Sequence, residues 1–193
     1  MGWGDDLITT SVVKRAYSKI GKPVCVGDGS QAYWSAVFEN NPKIAQKPYE
    51  GVQWVRTYKG FRPYIEANEP DKLIYKKDFK AEPGEIFFSQ QELDLFPSHK
   101  DFILIEPNTK RMPLSRNKDW GPVRWQAVVK ALPQFRWVQM KTGKHKLDGV
   151  ELVGTTNIRQ GFAMLRRSTL FLGTDGALHH AAQELVRHER GHP

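Results

Sequence analysis

Several sequence features are scarce or absent in this chain of 193 residues. It contains one cysteine, Cys25, which cannot form an internal disulfide, so we expect a reducing, cytoplasmic environment. A single cysteine also excludes cysteine-rich zinc modules and iron–sulfur sites. No apolar run approaches the roughly 18 residues that span a bilayer, and the N-terminal residues lack the basic-then-apolar pattern of a signal peptide. The sequence therefore predicts no membrane span.

Positive charge is abundant but dispersed along the chain. The formal net charge is +8, and the lysines and arginines form no compact basic arm. This balance is typical of proteins with an anionic partner, such as nucleic acid, a nucleotide or an acidic glycan. It also fits a soluble basic protein without such a partner. Charge alone therefore identifies no ligand.

Apolar periodicity and turn residues predict alternating helices and strands. The predicted helices cover residues 7–21, 31–42, 121–132, 158–168 and 176–188, with a further single turn between 82 and 96. The predicted strands cover residues 22–29, 51–60, 72–79, 101–108, 135–141, 150–155 and 169–174. Strands separated by helices imply βαβ units and parallel sheets, so the predicted fold class is α/β. A boundary near Pro97 predicts two domains, residues 1–97 and 98–193.

Three loops occupy positions that can hold a ligand in a parallel sheet, beyond the carboxyl ends of the strands. The first, "GWGDD" at residues 2–6, places Asp5 and Asp6 at a helix start. These carboxylates either stabilise the positive helix end or provide a general base in a cleft. The second, residues 106–121, is rich in basic and hydroxyl side chains. It is either a solvated loop or a diphosphate contact through Lys118.

The third loop, residues 173–177, connects a strand to a helix. Asp175 can cap that helix through its side chain. Gly176 allows a ligand to approach the backbone, and the free N–H groups of the first helical turn suit a phosphate. Simple capping and phosphate binding both remain consistent with this loop.

Together the three loops resemble glycosyltransferase family nine, which includes the ADP-heptose lipopolysaccharide heptosyltransferases. Its Gly-Asp helix start is similar to "GWGDDLITTSVVKRAY", and its following Asn-Pro is similar to "ENNPKIA". A lysine before a tryptophan resembles "NKDWGPVRWQAVV". An Asp-x-Gly-x-x-His variant followed by Ala-Ala resembles "GTDGALHHAAQEL". Each motif is weak alone, and their shared order gives the resemblance its specificity.

The resemblance implies a GT-B architecture of two Rossmann-like domains and a nucleotide-diphospho-sugar donor. It further implies inverting transfer to an acceptor hydroxyl with no cofactor and no essential metal. By position, Asp5 matches the catalytic base of the family. The residues that match donor-phosphate contacts are Thr109, Lys118, Asp175, Gly176, Ala177 and His180.

The resemblance also leads us to expect further secondary structure at both ends of the fold. The chain is accordingly expected to be a fragment, a short phage-type member or a binding module without turnover. The acceptor stays open: a glycan or another anionic acceptor, including modified DNA, fits the positive charge.

Two other functions are consistent with the sequence. "HERGH" at residues 188–192 matches the H-E-x-x-H pattern of zinc metalloproteases, in which His188 and His192 would bind zinc. Gly191 and Pro193 oppose a helix there, so we predict no metal site. The other alternative is a basic protein that binds a nucleotide or nucleic acid without catalysis.

Overall fold

The computed structural model describes residues 2–57, 62–69, 72–97, 101–108, 118–155 and 157–189. The chain divides into two compact units, Met1–Phe87 (unit 1) and Phe88–Pro193 (unit 2). Each unit contains a parallel sheet with helical segments. The predicted fold class, α/β with Rossmann-like parallel sheets, is confirmed. Among the described residues, no helix combines the length and the apolar character needed to cross a bilayer.

Unit 1 opens with helix α1, Trp3–Ile20. Helix α1 begins at Trp3, four residues before the start that the apolar pattern predicts at residue 7. The carboxylate of Asp5 accepts a hydrogen bond from the backbone N–H of Gly2 at 3.1 Å and so stabilises the first turn. The helix ends at Gly21, whose φ of 67° is the left-handed conformation that favours glycine.

The sheet of unit 1 is built around the buried strand β1, Val24–Gly27. Parallel to it lie β2, Ile44–Ala45, on one side and β3, Trp54–Arg56, on the other. An antiparallel pair follows, formed by β4, Ile65–Glu69, and β5, Lys72–Tyr75. The predicted strands near residues 22–29, 51–60 and 72–79 are therefore present in shorter form, with residues 58–60 outside the described part.

The predicted helix over residues 31–42 is wrong. The segment contains one 3₁₀ turn at Ala36–Phe38 and is otherwise irregular. The Asp28 carboxylate accepts the N–H groups of Ser30 and Gln31, each at 2.7 Å, and makes a tight turn after β1. A Cβ at Gly27 would lie 2.0 Å from the Gln31 carbonyl oxygen, so this close return of the chain requires glycine. The turn and its contacts override the helical pattern.

Unit 2 follows the predicted alternation closely. Its helices are α2, Gln90–Leu93, α3, Pro122–Ala131, α4, Ile158–Arg167, and α5, Ala177–Glu189. Its strands are β6, Ile103–Glu106, β7, Trp137–Met140, β8, Glu151–Val153, and β9, Leu170–Gly173. The four strands form one parallel sheet in the order β8-β7-β6-β9. One part of the core lies between α3 and the sheet and contains Ile103, Ile105, Trp125, Val129, Trp137 and Leu147.

The segment around α2 belongs to unit 2, so the division falls before Phe88 rather than after Pro97. Glu92 of α2 forms an ion pair with the buried Arg159 of α4, whose Nη2 donates to Glu92 Oε2 at 2.8 Å. The guanidinium carbon of Arg159 also lies 5.7 Å from the centre of the Phe88 ring. These contacts over a long sequence separation attach the α2 segment to the second sheet, and no local pattern predicts them.

Candidate active site

The predicted donor-phosphate residues that lie in the described part of unit 2 come together at the carboxyl edge of its sheet. Strands β6 and β9 end side by side, with Glu106 paired to Gly173. Beyond this edge, Lys118 Nζ forms an ion pair with Asp175 Oδ2. His180 Nε2 lies 3.8 Å from Asp175 Oδ1. The structure therefore brings Lys118 and His180 to opposite oxygens of one carboxylate.

The charges of this cluster are open to solvent. The side chains of Lys118 and Asp175 are 46% and 52% exposed. The hydrogen bond from Lys118 holds the pKa of Asp175 below its usual value, although partial burial opposes the shift. An exposed ion pair of this kind is weak. A competing anion can therefore take the place of Asp175 on the lysine.

Gly176 and Ala177 form the backbone of the same site. Helix α5 begins at Ala177, and the N–H of His180 donates to the Gly176 carbonyl at 3.2 Å. The Thr174 N–H donates to the Glu106 carbonyl at 3.3 Å, which fixes the turn to the end of β6. Among the described residues, a Cβ placed on Gly176 would meet only the Thr174 carbonyl oxygen, at 3.9 Å.

A hydrogen-bonded group of Glu106, Asn108 and the His145 backbone, which was not predicted from the sequence, supports this edge of the sheet. The Glu106 carboxylate accepts the backbone N–H and the side-chain amide of Asn108 at 2.9 and 2.8 Å. Asn108 in turn accepts the backbone N–H of His145 at 2.8 Å. Burial raises the pKa of Glu106. The available signal was a polar Glu-Pro-Asn directly after an apolar strand, at a position where ligands bind in parallel sheets.

In unit 1, Asp5 lies in the first turn of α1 and is held from several directions. Its Oδ1 accepts the hydroxyl of Tyr64. Its Oδ2 accepts the Gly2 N–H and lies 3.3 Å from Arg62 Nε. The Asp5 side chain is only 16% exposed. Burial and the neighbouring carboxylate raise the pKa of Tyr64, so this phenol acts as a donor at neutral pH.

Asp6 is more deeply buried than Asp5, with 1% of its surface exposed. Its Oδ2 accepts the hydroxyls of Ser35 at 2.7 Å and Tyr33 at 3.2 Å. Its Oδ1 has no hydrogen-bond partner among the described residues. Burial raises the pKa of Asp6 despite these hydroxyl contacts. Asp6 therefore links α1 to the irregular segment after β1 through these hydrogen bonds. It also lies near the positive end of the helix.

Two sets of predicted residues cannot be placed in this way. Thr109 lies outside the described residues, as do Gly191, His192 and Pro193 of the H-E-x-x-H alternative. The backbone of α5 is described through Glu189, so His188 is helical. No group of three metal-ligating side chains occurs among the residues with described side chains. His179 contacts Gln183, with their Nε2 atoms 3.3 Å apart, and its ring lies edge-on to the ring of His180 at 6.1 Å.

No protein-family model and no curated protein sequence matches the chain. Three solved heptosyltransferase structures are similar to part of it. E. coli heptosyltransferase WaaC with ADP-2-deoxy-2-fluoro heptose shares 15% identity over 48% of this chain and 32% of that chain, with a TM-score of 0.41. WaaC with ADP shares 13% identity over 56% and 38%, with a TM-score of 0.39. E. coli ADP-heptose lps heptosyltransferase II shares 14% identity over 61% and 39%, with a TM-score of 0.40.

The chain thus spans between 32% and 39% of the length of these heptosyltransferases. At identities of 13–15% and TM-scores near 0.4, the likeness extends to part of an α/β fold and assigns no activity.

Proposed function

We propose that the chain is a glycosyltransferase that takes a sugar from a nucleotide-diphospho-sugar and passes it to an acceptor hydroxyl with inversion. The observation that carries this proposal is the convergence of Lys118, Asp175, the start of α5 and His180 at the carboxyl edge of the unit 2 sheet. The order of the family-like motifs along the chain supports the same function.

The donor diphosphate would bind at the start of α5. The N–H groups at a helix start and the positive helix end attract phosphate oxygens. Lys118 supplies a point charge, and it exchanges its contact with Asp175 for the diphosphate. His180 lies one turn into the helix and supplies a further donor when protonated. These groups stabilise the negative charge that grows on the leaving nucleoside diphosphate.

Asp5 is the proposed general base. It accepts the proton of the acceptor hydroxyl while that oxygen forms a bond to the anomeric carbon. The bond from this carbon to the diphosphate breaks, and its electron pair leaves with the nucleoside diphosphate. Each carboxylate oxygen can accept more than one hydrogen bond. Tyr64 and Arg62 therefore orient Asp5 and still leave lone pairs for the acceptor.

Donor binding can be tested without knowing the acceptor. Thermal unfolding of the chain is followed with a panel of nucleoside diphosphates and nucleotide sugars, with and without a chelator. A ligand at 100 times its Kd stabilises the folded state by about 2.7 kcal/mol. We expect stabilisation by at least one nucleotide sugar, unchanged by the chelator because no metal is required.

The matched variants are Lys118→Gln and Lys130→Gln, the latter an exposed lysine of the same unit. Loss of a charge-assisted hydrogen bond of about 1.5–3 kcal/mol predicts roughly 10–100-fold weaker binding for Lys118→Gln. Lys130→Gln should bind as the wild type does. Equal affinities for the two variants, or no stabilisation by any ligand, would refute the donor site.

The ion pair between Arg62 and Asp5 is also consistent with a second function, nucleotide binding without turnover, in which Asp5 is a structural contact of the first turn of α1. In that case a nucleoside diphosphate stabilises the chain, but no nucleotide sugar is consumed. Measurement of nucleoside diphosphate release therefore separates the two functions.

A further inference from the structure

We propose that unit 1 carries a binding site for single-stranded nucleic acid, separate from Asp5 and from the donor residues of unit 2. The site is an open groove of about 880 Å³ between α1, β3, β4 and the segment that follows β5. We call it the β3 groove. Its volume lies within the range of about 300–1,000 Å³ that is typical of ligand sites.

The base of the β3 groove is apolar and aromatic. The less exposed lining residues include Val12 and Ala16 of α1, Trp54 and Val55 of β3, and Phe79. The Trp54 ring packs against Gly27, where an added Cβ would lie 2.9 Å from the ring. The Phe79 ring lies 6.0 Å from that of Tyr64. Both aromatic side chains are partly exposed, which the stacking of planar bases requires.

The rim of the β3 groove is mainly cationic. Arg15, Arg56, Lys76 and Lys77 line it, together with the carboxylates of Glu66 and Asp78. Arg15 also forms an exposed ion pair with Glu82 at 3.5 Å. Because cations outnumber carboxylates two to one in this lining, the rim favours a ligand that carries repeated negative charge.

Aromatic side chains and cations together favour single-stranded nucleic acid among polyanions. Its phosphates contact the rim while its unpaired bases stack on the rings at the base, which is the usual arrangement for such ligands. An acidic peptide such as polyglutamate would use only the rim. In a duplex the base faces are already stacked on one another. The overall charge of +8 is consistent with this class of ligand.

The test uses fluorescence anisotropy of a labelled oligothymidylate with the full chain at several salt concentrations. The groove variant combines Arg56→Gln, Lys76→Gln and Lys77→Gln. The matched control combines Lys19→Gln, Lys22→Gln and Lys47→Gln. The control removes the same charge from exposed positions of the same unit outside the groove. Circular dichroism checks that both variants remain folded.

We expect the groove variant to bind at least about tenfold more weakly. The slope of log affinity against log salt should fall by about 2, since each lost phosphate contact removes about 0.7 for single strands. The control variant should change affinity less than about threefold. An abasic oligonucleotide with the same number of phosphates should also bind at least about tenfold more weakly, because stacking contributes about 1–3 kcal/mol per base.

Three results would overturn the proposal: no binding by the wild type, equal losses in the two variants, or abasic strands and polyglutamate that bind as tightly as oligothymidylate. Stabilisation by nucleoside diphosphates is measured in parallel on the groove variant and should match the wild type. A failure of the donor site in unit 2 is thereby distinguished from a failure of the β3 groove.

Discussion

Asp5 in unit 1 and Asp175 in unit 2 occupy similar places in the sequence pattern but have different surroundings. Each lies near the start of a helix and close to a glycine, in a unit with a parallel sheet. The Asp5 side chain is 16% exposed and is held by Tyr64, Arg62 and a backbone N–H. The Asp175 side chain is 52% exposed and contacts two side chains that also reach solvent, Lys118 and His180.

The difference in exposure and in the number of partners suits the two carboxylates to different chemical roles. A carboxylate that several donors fix in one orientation is suited to accept a proton at a defined position. A carboxylate in an exposed ion pair gains little from that pair and yields its partner to a stronger anion. An aspartate at a helix start thus indicates a candidate site. Residues that are distant in sequence but close in space determine whether its carboxylate is held in one orientation or can give up its partner to another anion.

Asp5→Asn is expected to have the largest effect of the changes that test this comparison. Removal of a general base lowers turnover by about 10²–10⁴-fold. Donor binding should remain near the wild-type level, because the proposed donor residues lie in unit 2. The measurement is nucleoside diphosphate release from the nucleotide sugar that stabilises the chain.

Asp175→Asn is the matched control for that experiment. At saturating donor it should retain turnover if, as we propose, the diphosphate takes the place of Asp175 on Lys118. If Asp5→Asn turns over donor at the wild-type rate, Asp5 is not the base and the comparison fails.

The two units also differ in how far the sequence predicts them. In unit 2, alternation of apolar strands and amphipathic helices is local, so each element lies within a few residues of its prediction. In unit 1, the conformation of residues 31–42 is determined by hydrogen bonds to Asp6 and by the turn at Asp28, and the helical pattern of the segment itself does not prevail. The partners of Asp5 are distant as well: Tyr64 is 59 residues away.

The site residues show the same limit. The motif order indicated Asp5, Lys118 and Asp175 as candidates, because helix starts and strand ends can be recognised locally. It did not indicate which side chains would contact them. Lys118 and Asp175 are 57 residues apart, and no local pattern shows that β6 pairs with β9, which places the ends of these two strands side by side.

The pH dependence of stability provides a second, smaller test. Burial raises the pKa of Asp6 above its unfolded value of about 3.9. As pH rises from about 4 through the folded pKa, the unfolded chain ionises first, so Asp6 lowers the free energy of unfolding. Lys118 lowers the pKa of Asp175. The contribution of Asp175 to the free energy of unfolding is therefore present above about pH 4 and is lost as pH falls below that value.

Urea unfolding of the wild type and Asp6→Asn between pH 4 and 7 measures the first of these effects. The stability of the wild type relative to Asp6→Asn should decrease with rising pH, by at most about 1.4 kcal/mol per pH unit. A difference that stays constant, or that increases with pH, would show that Asp6 is ionised in the folded protein throughout this range.

The smallest expected effect is the loss of stability in Asp175→Asn, and Tyr64→Phe is its counterpart in unit 1. Tyr64→Phe removes a hydrogen bond to a shielded carboxylate and should lower the free energy of unfolding by about 1–2 kcal/mol.

Asp175→Asn breaks an exposed ion pair and should lower the free energy of unfolding by less than about 1 kcal/mol. The smaller cost should shrink further between 0.05 and 0.5 M salt, because ions screen exposed charges more than buried ones. Urea unfolding at pH 7 measures both changes. If Asp175→Asn costs as much as Tyr64→Phe at high salt, the Asp175 pair is a structural contact and not one that a phosphate can replace.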